Sequence, residues 1–188
     1  QGVQLPFMVM ISDQQRDFQQ PFNQFGLSPY YKWAKVHLGY RDVSFSKFSL
    51  AGYRALMAGV ELNPGKFRFG FVYARFRKAV EEDTLATYDP TKYISNVPVP
   101  SYKRTGYAVK IGVGTEDEHV DLVLLRAQDD ESSIRRPVKT RLAPEENLVL
   151  GLVGKVKLTE KLRWDFDLAG SAFTRDVTSP ETLGDQST

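Results

Sequence analysis

Few side chains in this sequence have the types and the spacing that catalysis requires. Asp165 and Asp167 stand two residues apart in the stretch KLRWDFDLAGS, residues 161–171. Two carboxylates can divide the work of general acid and general base between them. Arg163 lies beside them and lysines recur in neighbouring segments, so a charge-paired wall explains the two aspartates better. We therefore expect no catalytic residue and do not expect an enzyme.

Two acidic stretches could offer oxygen ligands to a divalent cation. EDEHVD at 116–121 adds the imidazole of His119, and DDES at 129–132 is the second stretch. A solvated turn or loop explains both compositions better. The glycine-rich stretch GVGTED at 112–117 lacks the Gly-Lys-Ser/Thr of a phosphate loop and indicates a tight turn. The sequence predicts no metal site and no cofactor.

The composition excludes several classes of protein. There are 188 residues, no cysteine and a net charge of +2, so disulfides and thiolate sites are ruled out and nucleic acid is not an expected partner. The two histidines, His37 and His119, stand apart, and no Gly-x-Ser-x-Gly elbow is present. No apolar run reaches the roughly 18 residues that a membrane helix needs.

The elements that would position these side chains are predicted to be strands, because apolar residues alternate with polar ones over long segments. The predicted strands are 31–45, 50–62, 66–80, 102–113, 119–126, 148–158 and 162–175, with a weaker candidate at 5–11. Several match the 9–11 residues of a tilted membrane-spanning strand. The best helix candidate, 78–86, could equally be a solvated turn.

The predicted connections alternate in length. Tight turns are expected at 63–65, 114–118 and 159–161, and long polar loops near 81–101 and 127–147. The link from 45 to 50 is an exception, because an outer loop is expected there and the link is short. Alternating short and long links are typical of a membrane barrel. The predicted fold class is all-β, an antiparallel up-and-down transmembrane β-barrel.

Each strand would then turn its apolar face to lipid and its polar face to the lumen. Two aromatic belts are expected at the membrane interfaces, formed by Tyr40, Tyr73 and Tyr107 at the outer end and by Phe67 and Trp164 at the other. The predicted lumen-lining residues are Lys35, His37, Arg41, Glu61, Lys66, Arg68, Lys110, Lys155, Lys157, Arg163, Asp165 and Asp167.

Positive charges outnumber negative charges on this polar face. This face carries eight lysine and arginine residues but only four carboxylates, Glu61, Asp121, Asp165 and Asp167. One hypothesis is a conducting lumen with a mild preference for anions. The alternative, which we weigh equally, is that these side chains pair across strands and fill the interior.

A resemblance supports the membrane interpretation. The stretches 20–33, 36–80, 104–114 and 170–177 together resemble the N-terminal part of large, mostly uncharacterised outer-membrane β-barrel proteins of the Bacteroidota type. The resemblance implies the fold, a location in the bacterial outer membrane and contact with its lipid. It transfers no functional residue to this chain.

The expected organisation is an N-terminal segment at 1–30 with a candidate first strand, barrel strands at 31–175, and an outer loop or tail at 176–188. Seven long strands form an odd number, whereas single-chain bacterial barrels have an even number. We therefore expect a 7–8-strand portion of a larger barrel. Because open strand edges are unfavourable in lipid, further chain or partner subunits would complete it.

Three classes of function remain open from the sequence. The first is a porin-like or transport barrel, and the second is a non-conducting structural or assembly barrel that scaffolds partners. A soluble lipocalin-like carrier is the third, because a soluble barrel uses the same alternation with its faces inverted.

Overall fold

The computed structural model describes residues 2–11, 23–82, 99–135 and 142–178. This part of the chain is all-β, with strands β1 (Phe7–Met10), β2 (Gln24–Leu27), β3 (Tyr30–Tyr31), β4 (Ala34–Asp42), β5 (Arg54–Leu62), β6 (Phe67–Arg77), β7 (Lys103–Gly114), β8 (His119–Asp130), β9 (Glu146–Thr159) and β10 (Leu162–Thr174). A single 3-10 turn, Glu131–Ser133, is the helical element of these ranges. No helix in the described residues has the length and apolarity to cross a membrane.

All ten strands belong to one antiparallel sheet. Its order is β1-β2-β4-β5-β6-β7-β8-β9-β10, and the short β3 pairs with β4. From β4 to β10 every strand pairs with the next strand along the chain, which is an up-and-down meander. The described strands do not close on themselves, since β1 and β10 form the two edges. The all-β antiparallel prediction is confirmed, and closure into a barrel stays a prediction.

The seven predicted long strands correspond to β4–β10, and most of their boundaries differ by one to four residues. The predicted strand 31–45 divides into β3, a turn and β4, while β8 continues four residues beyond 126 to Asp130. The β4–β5 link runs from 43 to 53 and is therefore longer than expected. β1 lies within the weak candidate 5–11, and the four-residue β2 was not predicted.

The helix candidate at 78–86 is not helical in its described part. Residues 78–82 contain no helix, and the remainder of the candidate lies outside the described residues. The predicted long loops at 81–101 and 127–147 correspond to links 78–102 and 131–145, of which 83–98 and 136–141 also lie outside.

Tight turns gather at one end of the sheet and longer links at the other. Gly65 has a φ of +63°, which glycine adopts without strain, and the Phe67 amide donates to the Pro64 carbonyl at 3.1 Å. The β7–β8 turn is closed from Thr115 N to Glu118 O at 2.6 Å. The β9–β10 turn contains just two residues, 160 and 161. The links 43–53, 78–102 and 131–145 lie at the opposite end.

The sheet is strongly curled. Five strands separate β4 from β10, so about 29 Å would lie between them in a flat sheet. Ser46 follows the end of β4 by four residues, a reach of about 14 Å, yet its Oγ donates to Asp167 Oδ1 on β10 at 2.8 Å. Curling therefore brings the two strands together and creates an inner and an outer face.

Candidate functional site

The inner face of the sheet carries the core. Its buried apolar residues form one cluster, consisting of Val43, Phe45, Leu50, Ala55, Met57, Val72, Ala74, Phe76, Ala108, Val123, Leu125 and Val149. Nine of them come from β5–β9 and three come from the link between β4 and β5. The core is thus made by the strands' inner residues together with a segment that folds over them.

The outer face is apolar and uncovered. Its exposed large side chains include Val36, Leu38, Phe67, Phe71, Tyr73, Ile111, Val113, Val120, Leu122, Leu148, Leu150, Leu152, Leu158, Leu162, Trp164 and Leu168. They alternate with the inner residues, as the period of two in a strand requires. The apolar face therefore looks outward, and the buried ion pairs of the same strands look inward. Toward the long links the outer face also carries charged residues, namely Arg75 and the pairs Asp42–Arg54, Lys103–Asp130 and Arg126–Glu146.

A chain of polar contacts crosses the inner face from β4 to β7. His37 is 2 % exposed; its Nδ1 lies 3.0 Å from Ser28 Oγ and its Nε2 lies 2.9 Å from Glu61 Oε1. The other oxygen of Glu61 accepts from Lys110 Nζ at 3.0 Å. Gly70 stands between Glu61 and Lys110 in the strand register and leaves room for this contact. All four polar groups are satisfied by one another, as buried polar groups must be.

A second ion pair has the same construction. Arg68 on β6, Gly112 on β7 and Asp121 on β8 lie side by side in the register. The guanidinium of Arg68 passes over Gly112 and donates from Nε and Nη2 to the two oxygens of Asp121, at 2.8 and 2.9 Å. Two parallel charge-assisted bonds of this kind are the strongest geometry for an arginine and a carboxylate. A glycine between the two charges makes the bridge possible.

The segment 43–53, which we name the inner loop, folds onto this network. The ring of Phe45 lies 4.8 Å from Lys110 Nζ and covers Gly70, where an added Cβ would stand 2.7 Å from the ring. Ser46 Oγ donates to Asp167 Oδ1 at 2.8 Å, and the Lys47 amide donates to Asp167 Oδ2 at 2.6 Å. The inner loop therefore fills the inner face between β5 and β10.

A third cluster anchors the β8–β9 link. Arg104 donates to both oxygens of the buried Asp129, at 2.7 Å each, and to Glu145 Oε2 at 2.6 Å. The Glu145 amide returns a bond to Asp129 Oδ2 at 3.1 Å. Sequence reasoning placed Asp129 in a loop and missed this pair. The signal was available, because Arg104 has the same parity as Lys110 and so faces inward.

The structure separates the other predicted lumen residues into two groups. Lys35 and Arg41 lie half-buried on β4, opposite Glu61 and Ala55. Exposed side chains on the inner face near the tight turns are Lys155, Lys157, Arg163 and Asp165. The exposed Lys66 lies in the β5–β6 turn one residue before β6, and its carbonyl accepts from the Gly114 amide at 2.7 Å. The inner face is therefore packed toward the long links and open toward the tight turns.

Asp165 and Asp167 do not form a carboxylate pair for acid–base chemistry. Asp165 lies 3.4 Å from Arg163 and opposite Lys155, whereas Asp167 binds the inner loop. The stretch 116–121 does not converge either, because Asp121 binds Arg68 while His119 Nδ1 lies 3.0 Å from the Thr115 carbonyl. Within the described ranges no group of three His, Asp or Glu side chains is placed to hold a metal ion.

Four of the five predicted belt residues are at least partly accessible on the outer face, and the fifth is not. Tyr73, Phe67 and Trp164 are exposed and Tyr107 is half-buried. Tyr40 is only 7 % exposed, and its hydroxyl accepts from Arg75 Nη2 at 3.2 Å. Tyr40 is therefore covered where an accessible side chain was predicted, because Arg75 on β6 reaches over it from the far side of β5.

Aromatic rings also cover the position on the outer face where Gly154 has no side chain. Gly154 on β9 pairs with Phe166 on β10, and the ring of Phe166 lies over the glycine. Trp164 packs on Phe166 with 4.7 Å between ring centroids. The outer face thus stays apolar where the sequence supplies no side chain.

Comparisons of this chain with family models, with curated proteins and with solved structures found no match.

Proposed function

We propose that this chain forms part of the wall of a bacterial outer-membrane β-barrel, with its outer face against lipid. The observation that carries the proposal is the distribution of the two chemistries over the two faces. Ion pairs such as Arg68–Asp121 are buried on the inner face, and rows of leucine, valine and aromatic side chains are exposed on the other. A soluble antiparallel sheet packs its apolar face inward and leaves its charges in water.

The magnitude of the exposed surface supports the same proposal. Removing one large apolar side chain from water contributes about 1.5–3 kcal/mol. The outer face presents more than a dozen such side chains in adjacent rows from β4 to β10. Monomeric soluble proteins rarely expose a contiguous apolar patch of more than a few hundred Å². Contact with lipid tails would remove these side chains from water without any further protein.

Within the barrel we assign a porin-like or transport role with a mildly basic lumen. The inner face near the tight turns exposes Lys155, Lys157 and Arg163, with Asp165 among them. Three cations against one carboxylate attract anions and disfavour cations. The inner loop narrows the path at the other end, because it lies across the inner face and is held by Asp167.

A non-conducting structural or assembly barrel is the second candidate. The packed inner face favours it, since the inner loop and the core cluster fill the space inside β5–β9. The buried cations Arg68 and Lys110 are neutralised by Asp121 and Glu61. Such a barrel would scaffold partners through its long links. A soluble lipocalin-like carrier is disfavoured, because it would have to enclose the face that is exposed here.

Completion of the proposed barrel would have to occur at the two edges of the sheet. β10 pairs with β9 on one side and with no described strand on the other. Backbone groups without partners are very unfavourable in the hydrocarbon region. Further chain or a partner subunit supplies the missing strands in this proposal. The long β10, with 13 residues, offers more pairing positions than the four-residue β1.

Extraction behaviour tests the membrane proposal directly. The full chain is expressed, membranes are separated, and the pellet is extracted with and without detergent. We expect the protein to need detergent, to float with liposomes and to give a heat-modifiable β-rich band on a gel. A monomer that is soluble in plain buffer would overturn the proposal.

Liposome swelling then separates transport from scaffolding, because only a conducting barrel speeds the entry of a small sugar. The reversal potential in a salt gradient across a planar bilayer tests the lumen charge. Anion preference supports the basic lumen, and cation preference contradicts it.

A further inference from the structure

A cleft of about 330 Å³ lies between the inner loop and strands β6–β8. Its walls come from Phe48, Ser49 and Leu50 of the inner loop and from Phe76, Arg77 and Leu125 of the strands. This volume is at the lower end of the roughly 300–1,000 Å³ that is typical of small-molecule sites. This is the size of a small organic molecule, and the proposed transport role does not require it.

The walls of the cleft are preorganised. The Tyr53 hydroxyl donates to the Phe76 carbonyl at 2.7 Å, and the two rings meet edge to face with centroids 5.7 Å apart. Leu50, Phe76 and Leu125 are buried members of the core cluster, so they present fixed apolar surface. A ligand with an apolar body would bind here without reordering the side chains that it touches.

The polar groups of the cleft point to an anion. Ser49 is 3 % exposed, and its Oγ has no hydrogen-bond partner in the described part of the chain. The Oγ atom is itself fully buried, so Ser49 forms part of the wall of the cleft and makes no contact with a ligand. Lys47 and Arg77 line the same cleft, and neither forms an ion pair with the residues that the structure describes. Arg104 also lines it but is bound by Asp129 and Glu145.

We propose that this cleft binds a small anionic amphiphile, with a body of about eight carbons and one carboxylate or phosphate head group. The body lies against Leu50, Phe76 and Leu125. The head group binds Arg77 and Lys47 by charge-assisted hydrogen bonds.

Equilibrium dialysis of the purified full chain against octanoate and against octyl phosphate tests the proposal. Octanol serves as the uncharged probe, and protein-free buffer or micelles supply the baseline. We expect saturable binding of octanoate, of octyl phosphate or of both, and at least tenfold weaker binding of octanol. Binding of octanol equal to that of both anions would overturn the proposal, because partition into apolar surface needs no charge.

Variants distinguish the cleft from other surfaces. Arg77→Gln removes one cation and should weaken binding of the anion about tenfold, the ratio for one lost charge-assisted bond. Lys47→Gln, at an exposed position of the inner loop, tests the second cation if the first variant does not fold. Ala51→Phe fills the cleft from its rim and should abolish binding. Lys161→Gln, in the distant β9–β10 turn, is the control. Equal binding by all four variants would overturn the proposal.

Discussion

Arg68 and Asp121, 53 residues apart in the chain, are joined by two hydrogen bonds that pass over Gly112. Glu61 and Lys110 are likewise joined over Gly70, by one hydrogen bond of 3.0 Å. In both cases the charged residues lie on the outer two of three adjacent strands, and the central strand contributes a glycine. On the inner face, each of these ion pairs therefore joins two strands across the strand that lies between them.

We expect Asp121→Asn to destabilise the protein by about 3–5 kcal/mol, because it leaves the buried guanidinium of Arg68 without its counterion. Urea unfolding followed by tryptophan fluorescence measures the change in the free energy of unfolding. Arg163→Gln is the matched control, since the pair of Arg163 with Asp165 is exposed and contributes about 0–1 kcal/mol. A similar loss in both variants would show that burial does not distinguish the two pairs.

The close approach of Arg68 and Asp121 over Gly112 can be tested by adding one methyl group at this glycine. A Cβ at Gly112 would stand 2.0 Å from Asp121 Oδ1 and 2.5 Å from the Val120 carbonyl oxygen. The backbone contact cannot be relieved by rotating a side chain, so Gly112→Ala should lower the free energy of unfolding by about 1–3 kcal/mol or more. Gly170→Ala, on β10 with open space around it, should change it by less than about 0.5 kcal/mol. Equal effects would contradict the close approach of the strands at Gly112.

Asp167→Ala should release the inner loop, because the carboxylate accepts from both Ser46 Oγ and the Lys47 amide. Loss of these bonds should cost about 1–3 kcal/mol and speed tryptic cleavage after Lys47. Asp165→Ala, on the same strand and face, is the control. Unchanged cleavage in Asp167→Ala would show that the inner loop is held by its apolar residues instead. In a conducting barrel the same variant should also raise the rate of liposome swelling.

The outer face is tested by a charge at its centre. Leu152 lies in the register between Leu122 and Leu168, near the middle of β9. Leu152→Lys should oppose membrane insertion by about 2–4 kcal/mol, as a lysine near the bilayer midplane does. The fraction of protein that floats with liposomes measures this effect, with Ser132→Lys in the exposed 3-10 turn as the control. Insertion equal to that of the unmodified chain would contradict contact of β9 with lipid.

The positions of the strands and the side to which each residue points could be predicted from the sequence. Alternation such as that from Leu162 to Leu168 depends on a period of two, which is a property of the backbone and needs no distant partner. The turn at Asn63-Pro64-Gly65 is equally local, because glycine there adopts a positive φ of +63°. The short strands β2 and β3 were missed or merged, since two to four residues are too few to display a period.

The tertiary structure decided which charges meet and what covers them. The contact of Ser46 with Asp167 spans 121 residues and exists because the sheet curls, which no local pattern encodes. Pairing of Arg68 with Asp121 depends on the relative register of three strands, and a shift by one residue would turn the side chains of a strand to the other face. Tyr40 has the alternation of an accessible residue and is covered because Arg75 reaches it from β6. The alternation of side chains along a strand is local and could therefore be predicted from the sequence. The register between strands, the curvature of the sheet and the burial of particular side chains arise from contacts between residues that are distant in the chain.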